Sequence, residues 1–248
     1  MKAAVSEAGA DTDAAAFAPT NWSLVLEAQG ESPTAQQALE KLCRTYWPPV
    51  YAFLRRQHIG PDEAEDLTQG FFALLLKRRD FSAVRKEKGR LRSYLLTSLK
   101  NFLVSEKRRA TALRRNKGQQ PMLLDELNAA ERLQTEAADH LTADRLYERR
   151  WALTLMEQVL QRLKDEYRTA GNSDLFDSLK QLLTDEPGAP SRADIAAQLG
   201  MTENALRQAF HRFRRRYQVL LREEIANTVA IPSDVEDELR HLISVLRT

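Results

Sequence analysis

Cysteine, glycine, proline and aromatic residues are all scarce in this chain of 248 residues. The single cysteine, Cys43, excludes both a disulfide framework and a metal site built from cysteines. The chain has 9 glycines, 9 prolines and 7% aromatic residues, and this scarcity favours helices over sheets. The histidines, which are His58, His140, His211 and His241, do not have the sequence spacing of a metal site. The sequence therefore predicts an all-α protein that uses no metal and no cofactor.

Long apolar runs are also missing. No stretch approaches the roughly 18 residues that a membrane-spanning helix needs. The first residues lack the apolar core of a signal peptide and contain three acids, Glu7, Asp11 and Asp13. The sequence has no Walker loop, no glycine-rich dinucleotide turn and no second Glu-x-x-His helix of a carboxylate-bridged metal site. These absences predict an intracellular protein without membrane insertion that is not an enzyme.

Positive charge is concentrated in two segments, although the formal net charge of the whole chain is only +2. Between Lys77 and Lys117 there are 15 lysines and arginines and only three acidic residues. Between Arg207 and Arg222 there are six arginines and no acidic residue. Two basic segments in an otherwise acidic chain indicate two surfaces that contact a polyanion. Solvated helix faces are the alternative explanation of the same pattern.

Changes in composition and periodicity divide the chain into five segments. The first is an alanine-rich extension without apolar periodicity, which we predict to be disordered. Two small helical domains follow, joined by a linker in which the apolar pattern fades, and an extra amphipathic helix that we expect to cover the second domain ends the chain. The predicted segments are 1–19 (extension), 20–115 (first domain), 116–142 (linker), 143–226 (second domain) and 227–248 (extra helix). Apolar spacing in the second domain predicts helices over 143–168 and 175–183.

Prolines mark two boundaries in the first domain. Pro48 and Pro49 donate no N–H and their rings crowd the preceding turn, so we expect them to kink or restart the helix that contains them. Pro61 is favourable at the first position of the next helix. Asp62 and Glu63 would then lie at the positive end of that helix dipole.

Residues 191–217 have the sequence pattern of a helix-turn-helix. Ser191 and Asp194 form a variant of the capping box at the start of a short helix. Gly200 ends this helix, and Thr202 caps a second helix only two residues later. Because the caps and the turn agree, the segment predicts a DNA-binding unit, with an ordinary helical hairpin as the alternative.

The second of these helices has an apolar stripe and a polar face. Arg207 can pair with guanine and Gln208 with adenine, while Arg212 can contact phosphate. The predicted DNA-contacting residues are Thr202, Asn204, Arg207, Gln208, His211, Arg212 and Arg215.

These motifs resemble, in order and spacing, those of the bacterial extracytoplasmic-function (ECF) sigma factors, the RNA polymerase subunits that select and open promoters. The stretch Glu63-Ala64-Glu65-Asp66-Leu67-Thr68-Gln69 is similar to the family's acidic DAEDL-x-Q signature, and IAAQLGMTENALRQAFHR is similar to its helix-turn-helix. The resemblance covers residues 45–110 and 145–225. A family pattern of glycine, F-R-x-W-L, an R-N pair and a basic helix end is similar to Gly89, Leu91, Arg92, Tyr94, Leu95, Lys100, Asn101 and Lys107-Arg108-Arg109.

The resemblance implies a non-enzymatic function in transcription initiation, in the cytoplasm of a bacterium. It implies as partners core RNA polymerase, through the clamp helices of its largest subunit, promoter DNA, and an anti-sigma factor as a candidate regulator. The implied polymerase contacts are Asp62, Asp66 and Gln69. The implied contacts to the melted element upstream of the start site are Lys88, Arg90, Arg92, Tyr94, Lys100, Asn101, Arg108 and Arg109.

Two alternatives stay open. A helix-turn-helix repressor or activator that acts without core polymerase would explain residues 191–217, but neither the acidic helix nor the first basic segment. Such a regulator would be expected to dimerise on paired half-sites. At one position, Tyr94 lies on the apolar stripe of its helix, so that packing in the core competes with stacking on an extruded base.

Overall fold

The computed structural model describes residues 33–77, 90–116, 141–183, 190–229 and 231–247. Within these ranges the chain forms α-helices and no β-strand, which confirms the predicted all-α class. Lys88, the predicted N-terminal extension and most of the predicted linker lie outside the described residues. The helices are α1 (Pro33–Arg56), α2 (Pro61–Lys77), α3 (Leu91–Asn116), α4 (Ala143–Thr169), α5 (Ser173–Gln181), α6 (Arg192–Gln198), α7 (Glu203–Ala226) and α8 (Val235–Arg247), the last preceded by a 3-10 turn, Pro232–Asp234.

Helix α1 continues through its two prolines, so the predicted restart of the helix is wrong, while the predicted kink stays a prediction. Pro48 and Pro49 lie inside an element of 24 residues. A proline in a helix interior costs roughly 3 kcal/mol, because one backbone hydrogen bond is lost and the ring crowds the preceding turn. Burial of Tyr46, Pro49 and Val50 offsets this cost. Tertiary packing therefore overrides the local effect of the prolines.

Helix α2 begins at Pro61, as predicted, with Asp62 and Glu63 in its first turn. Its apolar face packs against α1, where the ring of Phe72 stacks on that of Trp47 with centroids 5.7 Å apart. The packing fixes which side of α2 faces the core and leaves its acidic side exposed.

The first hydrophobic core joins the two halves of the sequence. It combines buried residues of α1, α2 and α3 with Tyr147, Trp151 and Leu155 from the first half of α4. Ile225 of α7 and Leu242 of α8 complete it. Trp151 is fully buried and is the largest such side chain in the described part of the chain. Most of the contact between the halves is therefore made by α4 lying along α1.

The second core lies under the helix-turn-helix. Val159 and Leu163, from the second half of α4, pack there with residues of α5, α6 and α7. The rings of Phe176 and Phe213 lie 5.8 Å apart, and Tyr167 contacts both. This core holds α7 at the surface of the molecule.

The division into two domains stays a prediction. Helix α4 passes without a break from the first core into the second. Helix α8 packs on α4 and α7. Arg90, directly before α3, and Val229, shortly after α7, form an isolated antiparallel bridge between the two halves. Among the described helices, none is long and apolar enough to cross a membrane.

Candidate nucleic-acid interface

The predicted helix-turn-helix is formed by α6, α7 and the turn between them. The hydroxyl of Ser191 accepts from the backbone N–H of Asp194 at 3.2 Å, and the Asp194 carboxylate accepts from the backbone N–H of Ser191 at 3.1 Å. Gly200 has a φ of +62°, a left-handed conformation that glycine adopts without strain. The hydroxyl of Thr202 accepts from the backbone N–H of Ala205 at 3.2 Å. The capping box, the glycine turn and the second cap are thus confirmed.

One side of α7 is fixed by the second core. Leu206, Ala209 and Phe213 are each no more than 3% exposed. On the neighbouring helix α4, Glu166 accepts two hydrogen bonds from Arg216, at 2.8 and 2.6 Å. These bonds lower the pKa of the Glu166 carboxyl and keep it ionised. Packing and this bidentate pair together set the rotation of α7 about its axis.

The opposite side of α7 is exposed and polar. Asn204, His211 and Arg215 lie across the helix from the buried stripe, because successive residues are about 100° apart around the axis. Arg207 and Gln208 flank them and are also exposed. The structure therefore brings the predicted base-reading side chains onto one surface.

Three arginines on this surface have no ion-pair partner among the residues that the structure describes. Arg207, Arg212 and Arg215 form no ion pair with any residue that the structure describes. Arg212 also lines a cavity of about 310 Å³ between α4, α5 and α7, beside Tyr167. Because unpaired surface arginines attract polyanions, this side of α7 is suited to a phosphate backbone.

Helix α3 presents the second predicted surface. Asn101, Arg108 and Arg109 are exposed, and Arg109 pairs with Glu106, one turn before it, at 3.3 Å. Tyr94 is half-buried against the first core. Tyr94 and Asn101 lie seven residues apart, so they share one side of the helix. The position of Tyr94 is therefore compatible with packing in the core and with stacking on an extruded base.

Arg92 is buried, so in this structure it is not available as a phosphate contact, and its predicted contact with the promoter stays a prediction. It is only 2% exposed, and its Nε and Nη2 donate to the two oxygens of Glu238 at 2.6 and 3.2 Å. Its Nη1 donates to Glu148, and its guanidinium lies 5.1 Å from the ring centroid of Trp151. Burial alone would lower the pKa of Arg92, but hydrogen bonding to Glu238 and the surrounding charges raise it above its ordinary value.

Two other predicted promoter contacts also meet carboxylates. Nε of Arg90 lies 3.0 Å from Oε2 of the fully buried Glu238. Nζ of Lys100 lies 2.6 Å from Oδ2 of Asp144, in a pair that is about half exposed. The start of α3 therefore carries arginines that are neutralised within the chain.

The sequence did not indicate which residues neutralise Arg90 and Arg92. Glu148, Glu238 and His241 were assigned no function, yet they form one cluster with the arginines. His241 Nε2 lies 3.1 Å from Oε2 of Glu148 but outside hydrogen-bond geometry, and burial lowers the pKa of its imidazole. The available signal was the position of Glu238 beside Val235 and Leu239 on the apolar side of an amphipathic helix.

The third predicted surface is the exposed side of α2. Ala64, Thr68 and Phe71 face the core. The predicted polymerase contacts face away from it and are exposed: Asp62, Asp66 and Gln69. Neither aspartate forms an ion pair with a described residue.

Comparisons with protein-family models, curated proteins and solved structures give no match for this chain. In the described ranges, no group of three or more His, Cys, Asp or Glu side chains is arranged to hold a metal ion. The three exposed surfaces on α2, α3 and α7 are therefore the features from which a function can be argued.

Proposed function

We propose that this chain is a transcription initiation factor of the ECF sigma type. It binds core RNA polymerase, recognises promoter DNA and promotes its melting. The observation that carries the proposal is the exposed side of α7, where arginines that form no ion pair with any described residue lie on the second helix of a capped helix-turn-helix. The resemblance of the sequence to the family supplies the role of the other two surfaces.

The α7 surface suits duplex DNA because it combines both kinds of contact that a reader of sequence needs. Arg207 and Gln208 can make bidentate hydrogen bonds to base edges in the major groove. Arg212 and Arg215 can neutralise phosphates and fix the register of the helix on the duplex. In the proposal this surface anchors the factor on the upstream promoter element.

The surfaces on α2 and α3 separate an initiation factor from a simple repressor. Asp62, Asp66 and Gln69 form an exposed acidic and amide surface that a repressor would not need. On α3, Asn101 and the exposed Arg108 offer a base-edge contact and a backbone contact to a separated strand. In the proposal the first binds the clamp helices of the polymerase and the second captures the melted strand.

The decisive experiment adds the purified chain to core RNA polymerase and maps transcript starts across a genomic library. We expect new starts that depend on both components and share an upstream element. A chain that binds duplex as a stable dimer and produces no new starts would instead be a repressor or activator independent of core polymerase. Absence of salt-dependent DNA binding would exclude both functions.

Arg207→Ala is expected to relax base preference at one or two upstream base pairs, by about 1–3 kcal/mol for a bidentate contact. Arg212→Ala should weaken binding to all sequences alike, because a phosphate contact carries no sequence information. Arg168→Ala removes the same charge from α4, where Arg168 pairs with Asp165 at 3.0 Å, and serves as the control. Binding to a randomised duplex library measures all three. Identical sequence preferences in wild type and Arg207→Ala would contradict the assignment of the recognition surface.

Asn101→Ala is expected to lower open-complex formation about tenfold, because hydrogen bonds to the edge of an extruded base contribute roughly 1–2 kcal/mol. Permanganate reactivity of unpaired thymines measures the opening, and a template with a pre-opened bubble should restore transcription in part. Ser105→Ala is the control, since that hydroxyl donates to the Asn101 carbonyl of its own helix at 2.9 Å. Full reactivity of Asn101→Ala on closed duplex would show that melting occurs elsewhere.

A further inference from the structure

Among the described residues, the acids that pair with Arg90, Arg92 and Lys100 come from the other half of the chain. Each of three cations predicted to contact the promoter strand meets a carboxylate carried by α4 or α8. The pairs are Arg90 with Glu238, Arg92 with Glu238 and Glu148, and Lys100 with Asp144. The C-terminal half therefore presents three carboxylates to the surface that is proposed to bind a polyanion.

The carboxylate of Glu238 binds Arg90 and Arg92 in the way that a phosphate group would. One oxygen accepts from Nε of Arg92 at 2.6 Å, and the other lies 3.2 Å from its Nη2 and 3.0 Å from Nε of Arg90. The planar guanidinium fork recognises carboxylate and phosphate by the same bidentate geometry. Glu238 is 0% exposed, so the contact is closed to solvent and ions. A phosphate cannot reach Arg92 while α8 stays in this position.

Helix α8 is attached in a way that allows it to leave. Only Glu238 and Leu242 among its 13 residues are buried. Its half-buried apolar residues, such as Val235 and Leu239, rest on the first core. Elements with few buried residues open at a lower free energy than the core does.

We propose that α8 is an autoinhibitory helix, which competes with the nucleic-acid backbone for Arg90 and Arg92. The inference rests on the proposed function, because it assigns these arginines to the promoter strand. In the closed form Glu238 holds both arginines; in the open form α8 is displaced and both can contact phosphates. The apparent affinity for a single strand is then reduced by the fraction of molecules that are closed.

Glu238→Gln tests the competition, because it keeps the shape of the side chain and removes its charge. We expect it to tighten binding of a single-stranded DNA oligonucleotide about tenfold. The slope of the logarithm of the binding constant against the logarithm of salt concentration should become steeper by up to about 1.4, because two additional phosphate contacts form. Asp237→Asn makes the matching change one residue away, where Asp237 is exposed and pairs with Arg240 of the same helix α8. This control should bind as wild type does, and equal affinities for all three proteins would overturn the proposal.

A second measurement needs no variant and holds even if Glu238→Gln folds poorly. Hydrogen exchange of the wild-type chain is followed with and without saturating single-stranded oligonucleotide. Displacement of α8 predicts faster exchange of amides in Val235–Arg247 when DNA is bound. Unchanged or slower exchange of this helix in the complex would show that DNA and α8 do not compete.

The outcomes distinguish this inference from the proposed function. If α8 stays protected while the chain still directs core polymerase to new starts, the autoinhibitory helix is wrong and the initiation function stands. If neither variant nor wild type binds single-stranded DNA and no new starts appear with core polymerase, both proposals fail.

Discussion

Asp66→Arg is expected to abolish binding of the chain to core RNA polymerase while changing its free energy of unfolding by no more than about 0.5 kcal/mol. Asp66 lies in the second turn of α2, across the helix from the buried Phe71, and is exposed. Reversing its charge places a cation against the basic or amide groups that the proposed clamp contact requires. Like charges at a docking surface cost several kcal/mol, enough to remove a specific complex.

The control for this prediction is Glu65→Arg. Glu65 is also exposed, but lies about 100° around the helix from Asp66. Both variants alter the net charge equally, so a general electrostatic effect would weaken both. A pull-down in which only Asp66→Arg loses core polymerase supports the proposed docking surface. Retention of wild-type affinity by Asp66→Arg would refute it.

Trp151→Ala is expected to destabilise the whole chain by about 3–5 kcal/mol, a large part of the stability of an ordinary domain. Trp151 is fully buried in the core that joins α4 to the N-terminal helices. Its truncation leaves a cavity and removes the ring beneath the Arg92 guanidinium, which lies 5.1 Å from the ring centroid. Urea unfolding followed by circular dichroism measures the loss.

Phe213→Ala provides the comparison, because Phe213 is equally buried in the second core. Since α4 belongs to both cores, we expect each variant to lower the midpoint of one common unfolding transition. Two separate transitions, of which each variant shifts only one, would instead show two independent domains, as the sequence predicted. The pair of variants thus decides the domain organisation directly.

Local patterns in the sequence predicted several helix ends to within two residues. The helices predicted over 143–168 and 175–183 are found as Ala143–Thr169 and Ser173–Gln181. The cap at Ser191 and the turn at Gly200 were also predicted correctly. Each of these depends on interactions between residues close together in sequence, which capping and glycine preferences describe well.

What could not be predicted depends on contacts between distant residues. Arg92 and Glu238 are 146 residues apart, so neither sequence spacing nor local charge indicates that they pair. Pro48 lies in a continuous helix because α4 packs against α1. Composition identified the basic segment, but only the tertiary structure shows which of its cations are already paired with carboxylates of the chain.

The continuity of α4 has a mechanical consequence. Its 27 residues form a rod about 40 Å long that belongs to both cores. The offset and the relative rotation of the surfaces on α3 and α7 are therefore set by helical geometry and not by the reach of a flexible tether. A polymerase that needs a different spacing between the two must first detach α4 from α1, and that work would be subtracted from the binding energy of the complex.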